Sequence, residues 1–218
     1  TMTKGTPNSF LITEKQYGDF ILELEIKLEG TETNSGIQIR SHIDSTSNPL
    51  RKIVYGKQVE IDPTQRAWTG GIYDESRRFW LYPVDLNENA KKAYKVNQFN
   101  KIKIEAIGNI TKTWVNGVPV AQLVDTIDQQ GHIALQVHSI QDHLDGQKVY
   151  FKNIKFQTKN LKPTAFPSEV YTVNLQPNSL TEQEKNAGYK LLFNGKDASG
   201  WRSARSAQFP AKGWSIQN

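Results

Sequence analysis

Residues 55–65 read YGKQVEIDPTQ and set two carboxylates one residue apart, Glu60 and Asp62. On a β-strand alternate side chains share a face, so the pair points one way with Gln58 beside it. Two carboxyl groups on one face are the equipment of glycoside hydrolysis, where a spacing of about 5 Å suits a nucleophile and an acid/base. The plainer alternative is a polar strand face with nothing to catalyse. Arg40 and His42, in the β-rich segment just before, are close enough in sequence to pair with the two acids. His138 in LQVHS supplies a general-base candidate, the side chain whose ordinary pKa lies nearest neutrality. Its run alternates, with Ala134 and Gln136 on the histidine's own face, so that face meets either solvent or a cleft. Trp68, Tyr73, Trp80 and Tyr82 are dense for so short a stretch; such rings stack on sugar faces, and β-cores consume them too.

The elements that must position these residues read as β almost throughout. DFILELEIKL alternates Phe20, Leu22, Leu24, Ile26 and Leu28 against a mostly charged face, and KIKIEAI repeats the pattern with Ile102, Ile104 and Ala106 inward. Asn116-Gly117 between two β-rich runs predicts a type I′ hairpin, because both central residues need positive φ. HIALQVHS and KVYFKNIKFQT are further strands. Short strands with turn signals predict an all-β fold, a two-sheet antiparallel sandwich with one short helix. That helix is SLTEQEKNAGY, with Ser179 as cap, Glu182 completing a capping box and Gly188 as stop. It follows a proline-bearing stretch that reads as a surface linker. Arg77 and Arg78 beside Asp74 and Glu75 read as a surface ion-pair cluster.

Composition narrows the function classes. The 218 residues carry no cysteine, so disulfides and thiolate metal sites are excluded. The net charge of +5 is spread over interleaved Lys and Glu rather than a basic stripe, which argues against nucleic acid. No apolar run has membrane-spanning length, so no membrane insertion is expected.

The segments NSGIQIRSH, GKQVEIDPTQRAWTGGIYDE, RRFWLYP, TWVNGVPVAQLVD, GHIALQVHS and VYFKNIKFQT occur in that order. Together, over about residues 8–160, they resemble the 3-keto-disaccharide hydrolase family of glycan-degrading bacteria. The resemblance implies a concanavalin-like, glucanase-like jelly roll, with Lys57 standing where an aromatic residue is more usual. Retaining glucanases of this general fold carry a third acid after the strand pair. Here Pro63, Thr64 and Gln65 follow Asp62, so two-carboxylate hydrolysis fails on residue identity. The resemblance implies another route. A C3 ketone acidifies the hydrogen on C2; a base removes it and the aglycone leaves from C1. The expected catalytic set is His138, Glu60, Asp62 and Arg40, with His138 as base and Arg40 or a divalent metal at the enolate oxygen. Gln58, His42, Trp68, Tyr73 and Trp80 are the expected sugar-binding residues. No cofactor is certain, although two His and two carboxylates could take a divalent ion. A non-catalytic carbohydrate-binding module and a conventional glycoside hydrolase stay open as alternatives. A bacterial periplasmic or extracellular location, with the signal peptide removed, is the expectation for such a protein.

The tail, GYKLLFNGKDASGWRSARSAQFPAKGWSIQN, resembles the opening of the same family domain. The organisation expected is therefore residues 1–160 as a sandwich lacking its opening segment, 161–188 as linker and short helix, and 189–218 as that segment. It would complete the sandwich, by permutation or in a segment-swapped dimer, or else begin a second repeat. Completion would bury Leu192, Phe193, Trp201 and Trp214 and bring Asn218 to Thr1.

Overall fold

A computed structural model describes residues 2–3, 5–47 and 52–217. The chain forms two compact units, residues 1–173 and 174–218. The first carries β1 (Ser9–Ile12), β2 (Phe20–Leu28), β3 (Ser35–Asp44), β4 (Ile53–Ile61), β5 (Ile72–Glu75) and β6 (Phe79–Tyr82). After a 3-10 segment (Val84–Lys92) come β7 (Asn100–Ile107), β8 (Ile110–Val115), β9 (Val118–Val124), β10 (His132–Val137), β11 (Val149–Gln157) and β12 (Thr172–Asn174). They form two six-stranded sheets, ordered β1-β10-β3-β4-β5-β6 and β11-β2-β7-β8-β9-β12. Strand neighbours run antiparallel, as in β3 with β4 and β2 with β7. The expected two-sheet antiparallel sandwich, a concanavalin/glucanase-like jelly roll, is what forms.

Period-2 patterning explains the core. Phe20, Leu22, Leu24, Ile26 and Leu28 of β2 and Ile102, Ile104 and Ala106 of β7 are buried, facing Ile37, Ile39, Val59 and Ile61 of the first sheet. Asn116 and Gly117 have φ of 51° and 82°, the double positive value of the expected I′ turn between β8 and β9. The linker lies on the second sheet: Thr164 donates to Glu105 from its backbone N–H at 2.9 Å, and Phe166 packs edge-on against Trp114 at 5.3 Å.

Several expectations are corrected. The helix, α1 (Glu182–Asn186), is capped by Thr181, not Ser179, and its capping box closes through Glu184 rather than Glu182. Ser179 instead bonds the Asn174 side chain. Arg77 and Arg78 are not surface decoration, because Asp74 beneath them is fully buried. Arg78 also grips Asp125 at 2.7 Å, and Arg77 pairs with Asp128. Lys57 joins the same network at Asp125, 3.2 Å away, on the core side of β4, so it walls no cleft.

In the second unit no described residue is buried, and Leu192 and Trp214 are 79% and 72% exposed. Trp201 is exposed too and Phe193 half-buried, where burial of all four was expected. The expected approach of Asn218 to Thr1 lies outside the described residues.

Candidate active site

Side chains that alternate with the core residues of β4 point away from the second sheet, and they floor a cleft of about 240 Å³. Gln58 and Glu60 come from β4, Tyr73 and Glu75 from β5, and Trp80 from β6. Gln136 and His138 come from β10 and its end, Asn8 and Asn34 from the approaches to β1 and β3, and Arg66 from the loop after β4. Register explains the assembly: Gln38 faces Gln58, Gln58 faces Tyr73 and Tyr73 faces Trp80 across three strand pairs.

The floor is an amide relay. Ser41 donates to Gln38, Gln38 Nε2 donates to Gln58 Oε1 at 2.9 Å, and Gln58 Nε2 donates to Glu60 at 3.0 Å and toward Gln136 Oε1 at 3.5 Å. The carboxylate end fixes which way each amide points. Gly36 makes the relay fit, since a Cβ there would come within 2.2 Å of Gln58 Cδ.

Glu60 is 4% exposed, and this burial, the largest influence, lifts its carboxyl to about 7. The Gln58 bond opposes the rise, while the charges of Asp62 and Glu75 add to it. Burial also raises Glu75 and Tyr73. His138 Nδ1 lies 2.5 Å from the Ser139 carbonyl, which can only accept, so Nδ1 carries a proton. Nε2 is then the ring nitrogen through which a proton can be accepted.

Of the nine residues expected at the site, Glu60, His138, Gln58, Tyr73 and Trp80 meet in this cleft. Asp62 is fully buried behind it, holding Arg66 Nε at 2.7 Å, and Arg66 does line the cleft. Trp68 also stands behind, edge-on to Trp80 at 4.5 Å, with the Arg66 guanidinium 4.6 Å above its ring. Arg40 is absent from the lining. A bulge in β3 gives it φ of 48°, and its guanidinium donates to the Gly18 and Gly108 carbonyls at 2.9 and 2.7 Å and to Asp19 at 2.9 Å. Gly131 allows the bulge, because a Cβ there would meet the Arg40 carbonyl carbon at 2.3 Å. His42 points elsewhere as well, to Asp128 at 3.1 Å and the Tyr55 ring. The two histidines and two acids expected to share a divalent ion therefore do not converge, and among the described residues no group of three or more His, Asp or Glu is arranged as a metal site.

Sequence reasoning missed Arg66, Glu75, Asn8, Asn34 and Gln136. Gln136 was legible as a neighbour of His138 on one strand face. The register of β4 with β5 and the turn that folds Arg66 back onto Asp62 left no signal in the sequence.

The sequence matches the profile of the 3-keto-alpha-glucoside-1,2-lyase-like domain over residues 1–157. No curated protein sequence matches it significantly. Among solved structures, carbohydrate-binding module CBM66 from Bacillus subtilis is similar at 16% identity and TM-score 0.47, over 71% of this chain and 84% of that one. A protein from Parabacteroides distasonis, provisionally named a glycosyl hydrolase, shares 18% identity at TM-score 0.49, over 73% and 78%. A Bacillus subtilis protein of unknown function with a galectin-like fold shares 9% at TM-score 0.49, over 71% and 80%.

Proposed function

The chain belongs to the 3-keto-alpha-glucoside-1,2-lyase-like family, and from that premise we propose that it cleaves 3-keto-glycosides by elimination across C1 and C2. The observation that carries the reading is the convergence of Glu60, His138 and Arg66 beside Tyr73 and Trp80 in one small cleft. Its volume lies below the roughly 300–1,000 Å³ of clefts that enclose larger ligands, which suits a single sugar ring between aromatic walls.

Each group has a role consistent with its geometry. His138 Nε2 removes the C2 proton, and the electron pair moves onto the C3 oxygen as an enolate. Arg66, replacing Arg40 in this role, holds that oxygen as a fixed cation whose position is set by Asp62 and the Trp68 ring. As the ketone re-forms, C1=C2 forms and the C1–O bond breaks. Glu60 donates its proton to the departing oxygen, and the products are an enone and the free aglycone. A carboxyl held near 7 is still half-protonated at neutral pH, as that donation requires.

Glu75 in the same cleft favours a second reading, a conventional glycoside hydrolase using Glu60 and Glu75. Parallel incubations with methyl 3-keto-α-glucoside and methyl α-glucoside separate the two. Release of methanol from the keto substrate alone is the expected result. Release from the plain glycoside supports the carboxylate pair, and binding without turnover of either supports a carbohydrate-binding module. A periplasmic or extracellular bacterial location belongs to the same proposal.

A further inference from the structure

Gln136 is fully buried, and its Oε1 faces the Gln58 amide at 3.5 Å, yet its Nε2 has no protein partner. Asn34 has a buried Oδ1 that also lacks one. Among the described residues these are the two buried side-chain polar atoms left unpaired, and both residues line the cleft that holds Glu60. Buried polar groups are paired in the great majority of folded proteins, so two orphans in one cleft need a reason.

The pair is a donor and an acceptor. The amide relay fixes Gln136 with its oxygen toward Gln58, which leaves the nitrogen as the free end. A ligand that satisfies both atoms must accept at one and donate at the other. A hydroxyl does both; a carbonyl oxygen answers only Gln136, and an ammonium answers only Asn34. We infer that Gln136 and Asn34 form a hydroxyl-reading subsite that selects the sugar by one ring hydroxyl other than the oxidised position. The inference rests on the proposal that the cleft binds a sugar and adds to it which chemistry is recognised there. In that geometry the keto oxygen belongs at the Arg66 side of the cleft, because a ketone at the amide pair would leave Asn34 unpaired. Sites built to hydrogen-bond a hydroxyl reject the analogue that lacks it, because their own buried groups are then left without partners.

The test is a titration of methyl α-glucoside and its 2-, 3-, 4- and 6-deoxy analogues by calorimetry, on wild-type protein, Gln136→Met and Asn34→Ala. Either the 2-deoxy or the 4-deoxy analogue should bind wild-type protein about tenfold or more weaker than the parent sugar, and a gap confined to the 3- or 6-deoxy analogue overturns the inference. In both variants that particular gap should shrink toward parity while gaps for the other analogues stay as they were. A gap that persists unchanged in the variants overturns the inference, since the hydroxyl is then read elsewhere. Equal binding of every analogue to wild-type protein also overturns it and leaves the sugar-binding reading intact. If the parent sugar fails to bind while methyl 3-keto-α-glucoside is cleaved, the inference falls and the proposed function stands; if neither sugar binds, both fall. Heteronuclear NMR spectra of each variant, compared with wild type, verify that the β-sandwich is retained.

Discussion

At the scale of single residues, Glu60 ties stability and catalysis to one proton. Its folded-state carboxyl is raised above the ordinary 4.5 to about 7, so the folded protein holds the proton more tightly than the unfolded chain. That contribution is fully present below pH 4.5 and is lost as pH rises through 7. The loss is on the order of 3 kcal/mol at most. Glu60→Gln keeps the shape and the acceptor for Gln58 and has no such titration. Its melting temperature should therefore match wild type near pH 4.5 and exceed it at pH 8, a comparison that thermal denaturation across a pH series settles. Activity should move the other way. As acid, Glu60 contributes roughly 10²–10⁴-fold to departure of a poor leaving group. The variant should lose that factor on a methyl 3-keto-glucoside and far less on a nitrophenyl one, whose oxygen leaves without protonation. Equal losses on both would assign Glu60 a different role. The acid itself was legible in the sequence, since Gln58 and Glu60 follow strict strand alternation. Arg40 was not, because a bulge that a glycine some ninety positions away makes room for re-aims it.

At the scale of elements, two glycines separate what builds the site from what builds the sheet. Gly36 sits opposite Glu60 in register, and the room above it is filled by the Gln58 side chain. Gly36→Ala forces that buried side chain aside without touching backbone, so the amide relay breaks while β3 and β4 stay paired. The expected outcome is a large loss of sugar affinity with a melting temperature lowered by several degrees, since buried amides lose their partners. Gly131 is different, because its added methyl would strike the backbone of Arg40 and Ser41. Gly131→Ala should cost at least about 1–3 kcal/mol, measured by urea denaturation, since neither strand can yield without losing the bulge. Strand existence and inward faces were readable here because the period of two runs unbroken through β2 and β7. Pairing between distant segments, such as β10 against both β1 and β3, leaves no local trace in composition. The capping box shows the same limit on a small scale: SLTEQE offers two offset solutions, and the structure takes Thr181 with Glu184.

At the scale of the whole molecule, core and cleft both come from residues 1–173, and that unit should be self-sufficient. Its buried cluster runs from Phe20 to Ile133 and draws on both sheets. Residues 174–217 bury nothing and expose Tyr189, Leu192 and Trp214, so burial gives that unit almost no stability of its own. One feature of the sandwich favours the opposite expectation. At the side where β1 and β11 end their sheets, an apolar slit is lined by Leu11, Ile12, Leu22, Leu24 and Ile154, and Leu11 is 75% exposed. An open apolar edge of this kind invites pairing with another segment, as the sequence of the tail suggests. The slit is small, about 160 Å³, and the principal cluster lies intact beneath it. We therefore expect a chain ending at Val173 to melt cooperatively within a few degrees of the full chain, to sediment as a monomer and to bind the same sugars. Aggregation of that fragment, or a melting point far below that of the full chain, would overturn the expectation and make closure of the β1 edge by a YKLLF-type segment a condition for folding.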